Sequence, residues 1–242
     1  MSLVAANTTP AAPVLFLHAD AEEWVRGAVA DIAGGLQRAL EVRGEARLLL
    51  SGGSTPAPVY RALARAPLQW SRISVGLVDE RWLPENDIAS NARLVRETLL
   101  AEGAAGARLD ALLMPPRTIE DCVRAANAAA ANAGAVAVLG MGDDGHTASL
   151  FPHTPGLAAA LAAQDDYVAV DASAAPVAAP WPRRISLTPA GLARASLRIL
   201  LLRGERKRGV LLRALEGEDA LALPVRAAFA LPGAALRIHW AP

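Results

Sequence analysis

Short apolar segments alternate along the chain with longer segments in which apolar positions recur at helical spacing. The helical pattern is longest over residues 21–42 and recurs over 57–65, 92–102 and 205–215. The short segments are rich in leucine and β-branched residues, which is typical of buried strands. They predict eight strands, over residues 14–18, 46–51, 73–78, 135–139, 167–171, 184–188, 197–202 and 236–240.

This alternation predicts the fold class. Strands that are apolar along nearly their whole length are buried on both faces, and strands that alternate with helices form mostly parallel sheets. We therefore expect an α/β protein of three layers, with helices on both faces of the sheet. Residues 1–13 are expected to form a flexible N-terminal segment, and residues 14–242 a single domain. Functional groups in such folds follow the carboxyl ends of strands.

Composition and charge narrow the classes of partner. Hydrophobic residues make up 53% of the chain, and the 24 basic and 24 acidic residues cancel, which argues against a nucleic-acid or polybasic membrane surface. No apolar run approaches the roughly 20 residues of a spanning helix, and no secretory signal is visible. Cys122 is the only cysteine, so an internal disulfide is impossible. We expect a soluble, cytoplasmic monomer or small homo-oligomer that binds neither nucleic acid nor membrane.

A glycine-rich loop follows the strand over residues 135–139. Its three glycines have the spacing G-x-G-x-x-G, which is typical of loops that bind a dinucleotide pyrophosphate. However, Asp143 and Asp144 would place negative charge beside the phosphates, and Pro152 and Pro155 interrupt the next helix within about two turns. The same glycines can instead let the chain turn sharply and expose one catalytic side chain. We expect no cofactor.

His146 is the candidate catalytic residue of this loop. Imidazole titrates near neutral pH and suits proton transfer, and Asp144, two residues earlier, can fix its tautomer. Two alternatives use the same segment. Asp143, Asp144, His146 and His153 could form a metal site, although their spacing matches no known ligand set. His146 could also have a purely structural role as a helix cap. We expect no metal, and we expect Gly142 to contact the substrate.

The segment SGGSTP (51–56) follows a predicted strand and opens a predicted helix. Gly52 and Gly53 free the backbone to curl around an anion, and Ser54 and Thr55 add hydroxyl groups. An ordinary strand-to-helix turn would use similar residues. The Gly-Lys-Ser/Thr element of a Walker loop is missing, so a single phosphate monoester suits this segment better than a nucleotide.

Further candidates lie at other strand ends. The carboxylate of Asp79 could accept hydrogen bonds from sugar hydroxyls, and Arg81 could bind an anion. The alternative for Arg81 is a solvated ion pair with Glu80. Arg184 is a candidate second phosphate ligand. Lys207 is the only lysine among 24 basic residues and follows the strand over residues 197–202. A lone lysine suggests that a compact charge is needed there, although chance retention would also explain it.

The segment GMGDDGHTASLFP resembles the signature of the 6-phosphogluconolactonases, within a larger group that includes glucosamine-6-phosphate deaminases. Three further segments, SGGSTP, DERWLP and RRISLT, fall in the family's order, so the resemblance spans most of the chain. It implies the fold of ribose-phosphate isomerases and glucosamine-phosphate deaminases. It also implies hydrolysis of 6-phospho-D-glucono-1,5-lactone in the oxidative pentose phosphate pathway, with the phosphate held by the SGGSTP loop and Lys207.

The expected mechanism uses His146 and Asp144. His146, oriented by Asp144, would activate a water that attacks the lactone carbonyl, and would then protonate the leaving ring oxygen. Backbone amides or an arginine would stabilise the oxyanion. No G-x-S-x-G motif is present, which disfavours a serine acyl-enzyme. One alternative is a deaminase, a branch with a glutamate where this chain has Phe151. The other is a non-enzymatic sugar-phosphate sensor.

Overall fold

Ten strands and eight helices form the architecture of the computed structural model, which describes residues 10–84, 86–113, 117–130 and 136–242. The strands are β1 (Val14–Leu17), β2 (Ala46–Leu50), β3 (Ile73–Leu77), β4 (Asp79–Arg81), β5 (Arg108–Leu109), β6 (Val136–Leu139), β7 (Tyr167–Asp171), β8 (Arg183–Leu187), β9 (Leu197–Arg203) and β10 (Leu236–Ala241). The helices are α1 (Ala21–Arg43), α2 (Ala57–Leu63), α3 (Asn91–Thr98), α4 (Ile119–Ala129), α5 (Leu157–Ala162), α6 (Pro189–Ala193), α7 (Glu205–Leu215) and α8 (Arg226–Phe229). Single turns of 3₁₀ helix occupy Trp70–Arg72 and Pro176–Ala178.

Seven of the strands form a parallel sheet in the order β1-β10-β9-β6-β2-β3-β5. All residues of β2 and β6 are buried, as are all but the last residue of β9. Strands in the middle of a sheet can be buried in this way only when both faces are covered. The predicted α/β class with a mostly parallel sheet is therefore confirmed, and all eight predicted strands are present.

The longest helix follows directly from its sequence pattern. In α1, Trp24, Ala28, Ile32, Leu36 and Leu40 recur every four residues and are all buried, so they form one apolar face against the sheet. The side chain of the N-cap residue accepts a hydrogen bond from the third residue of the helix, and a glycine in the left-handed conformation ends it. The helix predicted over residues 21–42 is thus confirmed to within one residue.

A second sheet differs from the prediction of one parallel sheet. Strands β4, β8 and β7 pair antiparallel in that order, so the segments 167–171 and 184–188 lie outside the parallel sheet. The chain passes from one sheet to the other at Val78, whose amide donates to Leu50 of β2 and whose carbonyl accepts from Leu187 of β8. The small sheet therefore starts at the carboxyl edge of the large one.

Two further sequence expectations concern the termini and membranes. Residues 1–9 of the N-terminal segment lie outside the described residues, and Pro10 forms an isolated bridge with Pro232. Among the helices of the described ranges, none is long and apolar enough to span a bilayer.

A chain of hydrogen bonds joins α1 to the edge of the parallel sheet. Nε2 of the buried His239 lies 2.8 Å from Oδ2 of Asp31, and its Nδ1 lies 3.0 Å from Nε2 of His18. Arg237 donates to both carboxylate oxygens of Asp31, at 2.6 and 2.9 Å. Burial lowers the pKa of His239, and the nearby charges of His18 and Arg237 add to this effect, against the opposing influence of Asp31.

This arrangement predicts a loss of stability in mild acid. Because the pKa of His239 in the folded protein lies below its usual value near 6.5, the unfolded chain takes up a proton more readily. The His239 contribution is therefore complete above about pH 6.5 and is lost as the pH falls. Urea unfolding from pH 7 to 5 should show a shallower decline in the free energy of unfolding for His239→Gln than for the unsubstituted protein. Equal slopes would contradict the assignment.

Candidate active site

Four segments that carry predicted site residues follow adjacent strands. β9, β6, β2 and β3 are neighbours in the parallel sheet, and their carboxyl ends lie at one edge. The segments that follow these strands contain, respectively, Lys207 in the first turn of α7, His146, the SGGSTP segment and Asp79 at the start of β4. The expectation that these segments meet at the carboxyl edge of the sheet agrees with this topology.

His146 and Asp144 form a hydrogen-bonded pair. Nδ1 of His146 lies 2.6 Å from Oδ1 of Asp144, and the same oxygen accepts from the backbone amide of His146 at 3.2 Å. Their side chains are 26% and 27% exposed, so solvent or a ligand can reach them. A carboxylate bonded at Nδ1 places the proton of a neutral ring on that nitrogen and leaves Nε2 as the free base. The pair therefore has the geometry of an oriented general base.

The charge state of Asp144 suits this arrangement. Partial burial on its own raises the pKa of Asp144, but the hydrogen bonds and charge of His146 outweigh it and hold that pKa below the usual value. Asp144 is therefore ionised at neutral pH. An ionised carboxylate at Nδ1 can stabilise the imidazolium that forms when the ring accepts a proton.

The glycines of this loop make room for the histidine. A Cβ atom at Gly142 would lie 2.2 Å from the His146 ring and 2.5 Å from Oδ1 of Asp144. The amide of Gly142 also donates to the carbonyl of His146 at 2.9 Å. Gly145 has a φ of +80°, which favours glycine. The space beside Gly142 thus holds an imidazole, whereas a dinucleotide loop would leave it open to a pyrophosphate.

The SGGSTP segment presents open backbone. Gly53 has a φ of +93°, and a Cβ atom there would have no heavy atom within 4 Å. Gly53 and Ser54 are exposed, while Gly52 and Thr55 are partly buried. Within the described ranges, no acceptor takes a hydrogen bond from the amides of Gly52, Gly53 or Ser54. These amides are available to an anion.

Asp79 joins this segment to the histidine loop. Its buried carboxylate accepts from Ser149 at 2.5 Å and from Nδ2 of Asn91 at 3.2 Å, and its carbonyl accepts from the same Nδ2 at 2.8 Å. A Cβ atom at Gly52 would lie 1.8 Å from Oδ1 of Asn91, so Asn91 packs directly on that glycine. Each oxygen of the Asp79 carboxylate has a protein donor. A hydrogen bond to a sugar hydroxyl would add to these contacts.

Arg81 and Arg184 are directly opposite each other on β4 and β8. Arg184 donates to the carbonyls of Trp181 and Ala178, at 3.0 and 3.1 Å, and its guanidinium lies 5.1 Å from the centre of the Phe151 ring. Arg81 donates through Nη1 to the carbonyl of residue 89, whereas its buried Nε has no partner among the described residues. Burial lowers the pKa of Arg184. Two neighbouring guanidinium groups favour an anion between them.

The alternative of a solvated Glu80–Arg81 ion pair is wrong. Glu80 is 1% exposed, and its carboxylate accepts from the hydroxyl of Ser90 and from the amides of Arg81, Asn91 and Ala92. Burial raises the pKa of Glu80 against these hydrogen bonds. Glu80 therefore fixes the start of α3, which carries Asn91.

Lys207 contacts the histidine loop from the first turn of α7. Its Nζ donates to the carbonyl of Met141 at 2.7 Å, and the neighbouring Arg206 pairs with Asp143 at 3.1 Å. An ammonium has three donors, so two remain for a ligand. Of the alternative metal set, Asp143 pairs with Arg206 and Asp144 pairs with His146. The described part of the chain contains no group of three or more His, Cys, Asp or Glu side chains that could hold a metal ion.

Sequence reasoning missed Asn91 and Ser149. Asn91 follows the N-cap residue of a helix, where a polar residue needs no further explanation, and Ser149 lies 70 positions from its partner Asp79. In the sequence, Phe151 stands out only because the deaminase branch has a glutamate at this position. In the structure, the centre of its ring lies 4.4 Å from that of His146. None of these contacts has a local sequence signal.

Comparison with known proteins identifies the family. The model of the family "Glucosamine-6-phosphate isomerases/6-phosphogluconolactonase" matches residues 19–240. A 6-phosphogluconolactonase of Xylella fastidiosa (strain 9a5c) is 49% identical over 228 residues, which cover 93% of this chain and 95% of the relative. A 6-phosphogluconolactonase of Pseudomonas aeruginosa is 42% identical over 238 residues, or 96% and 97% of the two chains.

Solved structures of related proteins have the same fold as this chain. The crystal structure of a 6-phosphogluconolactonase from Shewanella baltica superposes with a TM-score of 0.89 at 34% identity, covering 97% of this chain and 100% of the other. A monomeric glucosamine-6-phosphate deaminase has the same fold, with a TM-score of 0.77 at 18% identity and coverage of 94% and 97%. The chain therefore belongs to the family of glucosamine-6-phosphate isomerases and 6-phosphogluconolactonases.

Proposed function

We propose that this protein hydrolyses 6-phospho-D-glucono-1,5-lactone to 6-phospho-D-gluconate, a step of the oxidative pentose phosphate pathway. The observation that carries the proposal is the His146–Asp144 pair, with Nδ1 and Oδ1 2.6 Å apart, at the edge of the sheet where the amides of Gly52, Gly53 and Ser54 are open. The names of the relatives at 49% and 42% identity support the same activity.

Water is the nucleophile in the proposed reaction. Nε2 of His146 takes a proton from a water molecule while the oxygen of that water attacks the lactone carbonyl carbon. The carbonyl oxygen becomes an oxyanion, which backbone amides of the loops stabilise. The bond from the carbonyl carbon to the ring oxygen then breaks, and the imidazolium returns its proton to that oxygen. Asp144 stabilises the imidazolium through Nδ1 between these steps.

The phosphate of the substrate would lie away from the reacting carbonyl. The groups that suit it are the amides of Gly52, Gly53 and Ser54, the free donors of Lys207, and the guanidinium groups of Arg81 and Arg184. Binding energy from such a remote group can align the carbonyl with His146. Lys207 also fixes the carbonyl next to Gly142, so it joins phosphate binding to the histidine loop.

Amino-sugar phosphate deamination is less well supported. The deaminase branch carries a glutamate five residues after the loop histidine, and this chain has Phe151 there. Phe151 is 1% exposed and packs between His146 and Arg184, so an apolar ring fills the place of a catalytic carboxylate. A non-enzymatic sensor would need no ordered His146–Asp144 pair.

The first test concerns the general base. His146→Ala should lower kcat by roughly the 10²–10⁴-fold typical of a positioned acid–base group. Asp144→Asn should lower it less, because water can partly replace an orienting partner. Turnover of fresh lactone would be followed in a pH-stat and corrected for spontaneous hydrolysis, with circular dichroism as the check on folding.

His153→Asn is the matched control for this test. His153 lies in the same segment, is exposed, and has a φ of 61°, which asparagine tolerates. The control should keep its activity. Near-normal turnover by folded His146→Ala would remove the assignment, and loss of activity in His153→Asn would support the alternative metal set.

The second test concerns the phosphate. Lys207→Ala should raise KM for the phosphorylated lactone and can also lower kcat, but it should scarcely change the slow hydrolysis of unphosphorylated gluconolactone. Lys207→Arg should recover only part of the loss, because a planar guanidinium does not replace a compact ammonium. The measurement is kcat/KM for both lactones.

Arg206→Ala is the control for charge alone. Arg206 is the adjacent cation, and its side chain is 81% exposed in a pair with Asp143. Its loss should affect both lactones little, since exposed ion pairs contribute weakly. An equal fall in kcat/KM on both substrates for Lys207→Ala would mean that Lys207 supports the loop and does not bind phosphate.

A further inference from the structure

Ser51 has a buried hydroxyl group without a hydrogen bond of normal geometry, although it lies close enough to the hydroxyl of Tyr60 to influence the pKa of that group. The residue is 5% exposed, and its Oγ has no hydrogen-bond partner in the described parts of the chain. Its backbone, in contrast, is fully engaged: the amide donates to Val138 at 3.1 Å, and the carbonyl accepts from the hydroxyl of Tyr60 at 2.8 Å. Buried polar atoms are nearly always paired, so an unpaired one in a rigid setting requires an explanation.

The unpaired hydroxyl borders open space at the centre of the site. A Cβ atom built on Gly140 would have only one heavy atom within 4 Å, and that atom is Oγ of Ser51 at 3.9 Å. Ser51 directly follows β2 and Gly140 directly follows β6, which are neighbouring strands. The space therefore lies between the SGGSTP segment and the loop that carries His146.

The loop is held so that this space stays open. Thr147 donates to the carbonyl of Gly140 at 2.9 Å, which ties the start of the loop to the residue after His146. Ser51 is fixed from both sides by its backbone bonds. These bonds hold the backbone in place on both sides of the space.

We propose that Ser51 Oγ binds a hydroxyl group of the sugar ring, in the space that the missing side chain of Gly140 leaves. This proposal rests on the proposed function and adds two specificity-determining residues to it. A serine hydroxyl both donates and accepts, as a sugar hydroxyl does, whereas an oxyanion would be matched by donors alone. The unsatisfied group of the free protein is then satisfied by the substrate.

The proposal predicts that loss of the Ser51 hydroxyl weakens substrate binding without lowering the stability of the folded protein. Ser51→Ala removes a buried hydroxyl that has no partner, so the melting temperature should stay the same or rise. KM for the phosphorylated lactone should rise by about three- to tenfold, the loss expected for one neutral hydrogen bond. The affinity for 6-phosphogluconate, measured by calorimetry, should fall by a similar factor. The pH at which kcat/KM is half-maximal should not move, because His146 is unchanged.

Thr98→Val is the matched control. Thr98 is also buried, but its hydroxyl donates to the carbonyl of Leu94 at 2.7 Å within α3. Removal of this satisfied hydroxyl should lower the melting temperature or leave it unchanged, with KM unaffected. Gly140→Ala tests the space itself, since its Cβ atom would make an ordinary contact in the free protein. This variant should fold and show a raised KM.

The outcomes separate this inference from the proposed function. If the unsubstituted protein does not hydrolyse the lactone, the proposed function fails. If it does, and both Ser51→Ala and Gly140→Ala keep KM and product affinity, only the present inference fails. A lower melting temperature of Ser51→Ala with unchanged KM would show that the hydroxyl has a structural partner, such as a trapped water, and would also overturn the inference.

Discussion

The buried carboxylate of Asp79 holds together the loops on which the site depends. A carboxyl group removed from water must be matched by hydrogen-bond donors, and Ser149 and Asn91 supply them from two different parts of the chain. Ser149 belongs to the segment that follows His146, and Asn91 packs on Gly52. The positions of the histidine loop and the SGGSTP segment are therefore coupled through one carboxylate, which is how a site made of loops can be preorganised.

Close approach of a side chain explains why two positions in the site are glycine. A Cβ atom on Gly142 would overlap the imidazole of His146, and a Cβ atom on Gly52 would overlap the side-chain amide of Asn91. In both places the absence of a side chain lets a functional or positioning group approach the backbone closely. The spacing G-x-G-x-x-G is shared with dinucleotide loops because both need close approach, but here the approaching group is part of the protein.

Features whose causes are local could be predicted from sequence, and features that depend on distant partners could not. The eight predicted strands and the His146–Asp144 pair, two residues apart, have local signals. Strand β4 is short and polar and forms only because β8, about a hundred residues later, pairs with it. From Val168 to Asp171 the residues of β7 are alternately partly buried and exposed, as in a half-exposed antiparallel strand, but the near-continuous apolar sequence of β7 favoured the parallel sheet. Ser149 and Asn91 likewise gain their meaning from Asp79.

The contrast between satisfied and unsatisfied buried groups separates structure from function within the site. Glu80 and Asp79 are buried carboxyl groups in which each oxygen accepts a hydrogen bond from the protein, so they position other residues. Nε of Arg81 and Oγ of Ser51 are buried without hydrogen-bond partners in the described chain, and both lie near the carboxyl ends of β2 and β3. A fold that can bond two carboxylates there could also have bonded these donors. Their unpaired state is a loss of stability that a ligand would reverse, since the free energy withheld from the folded protein becomes available on binding.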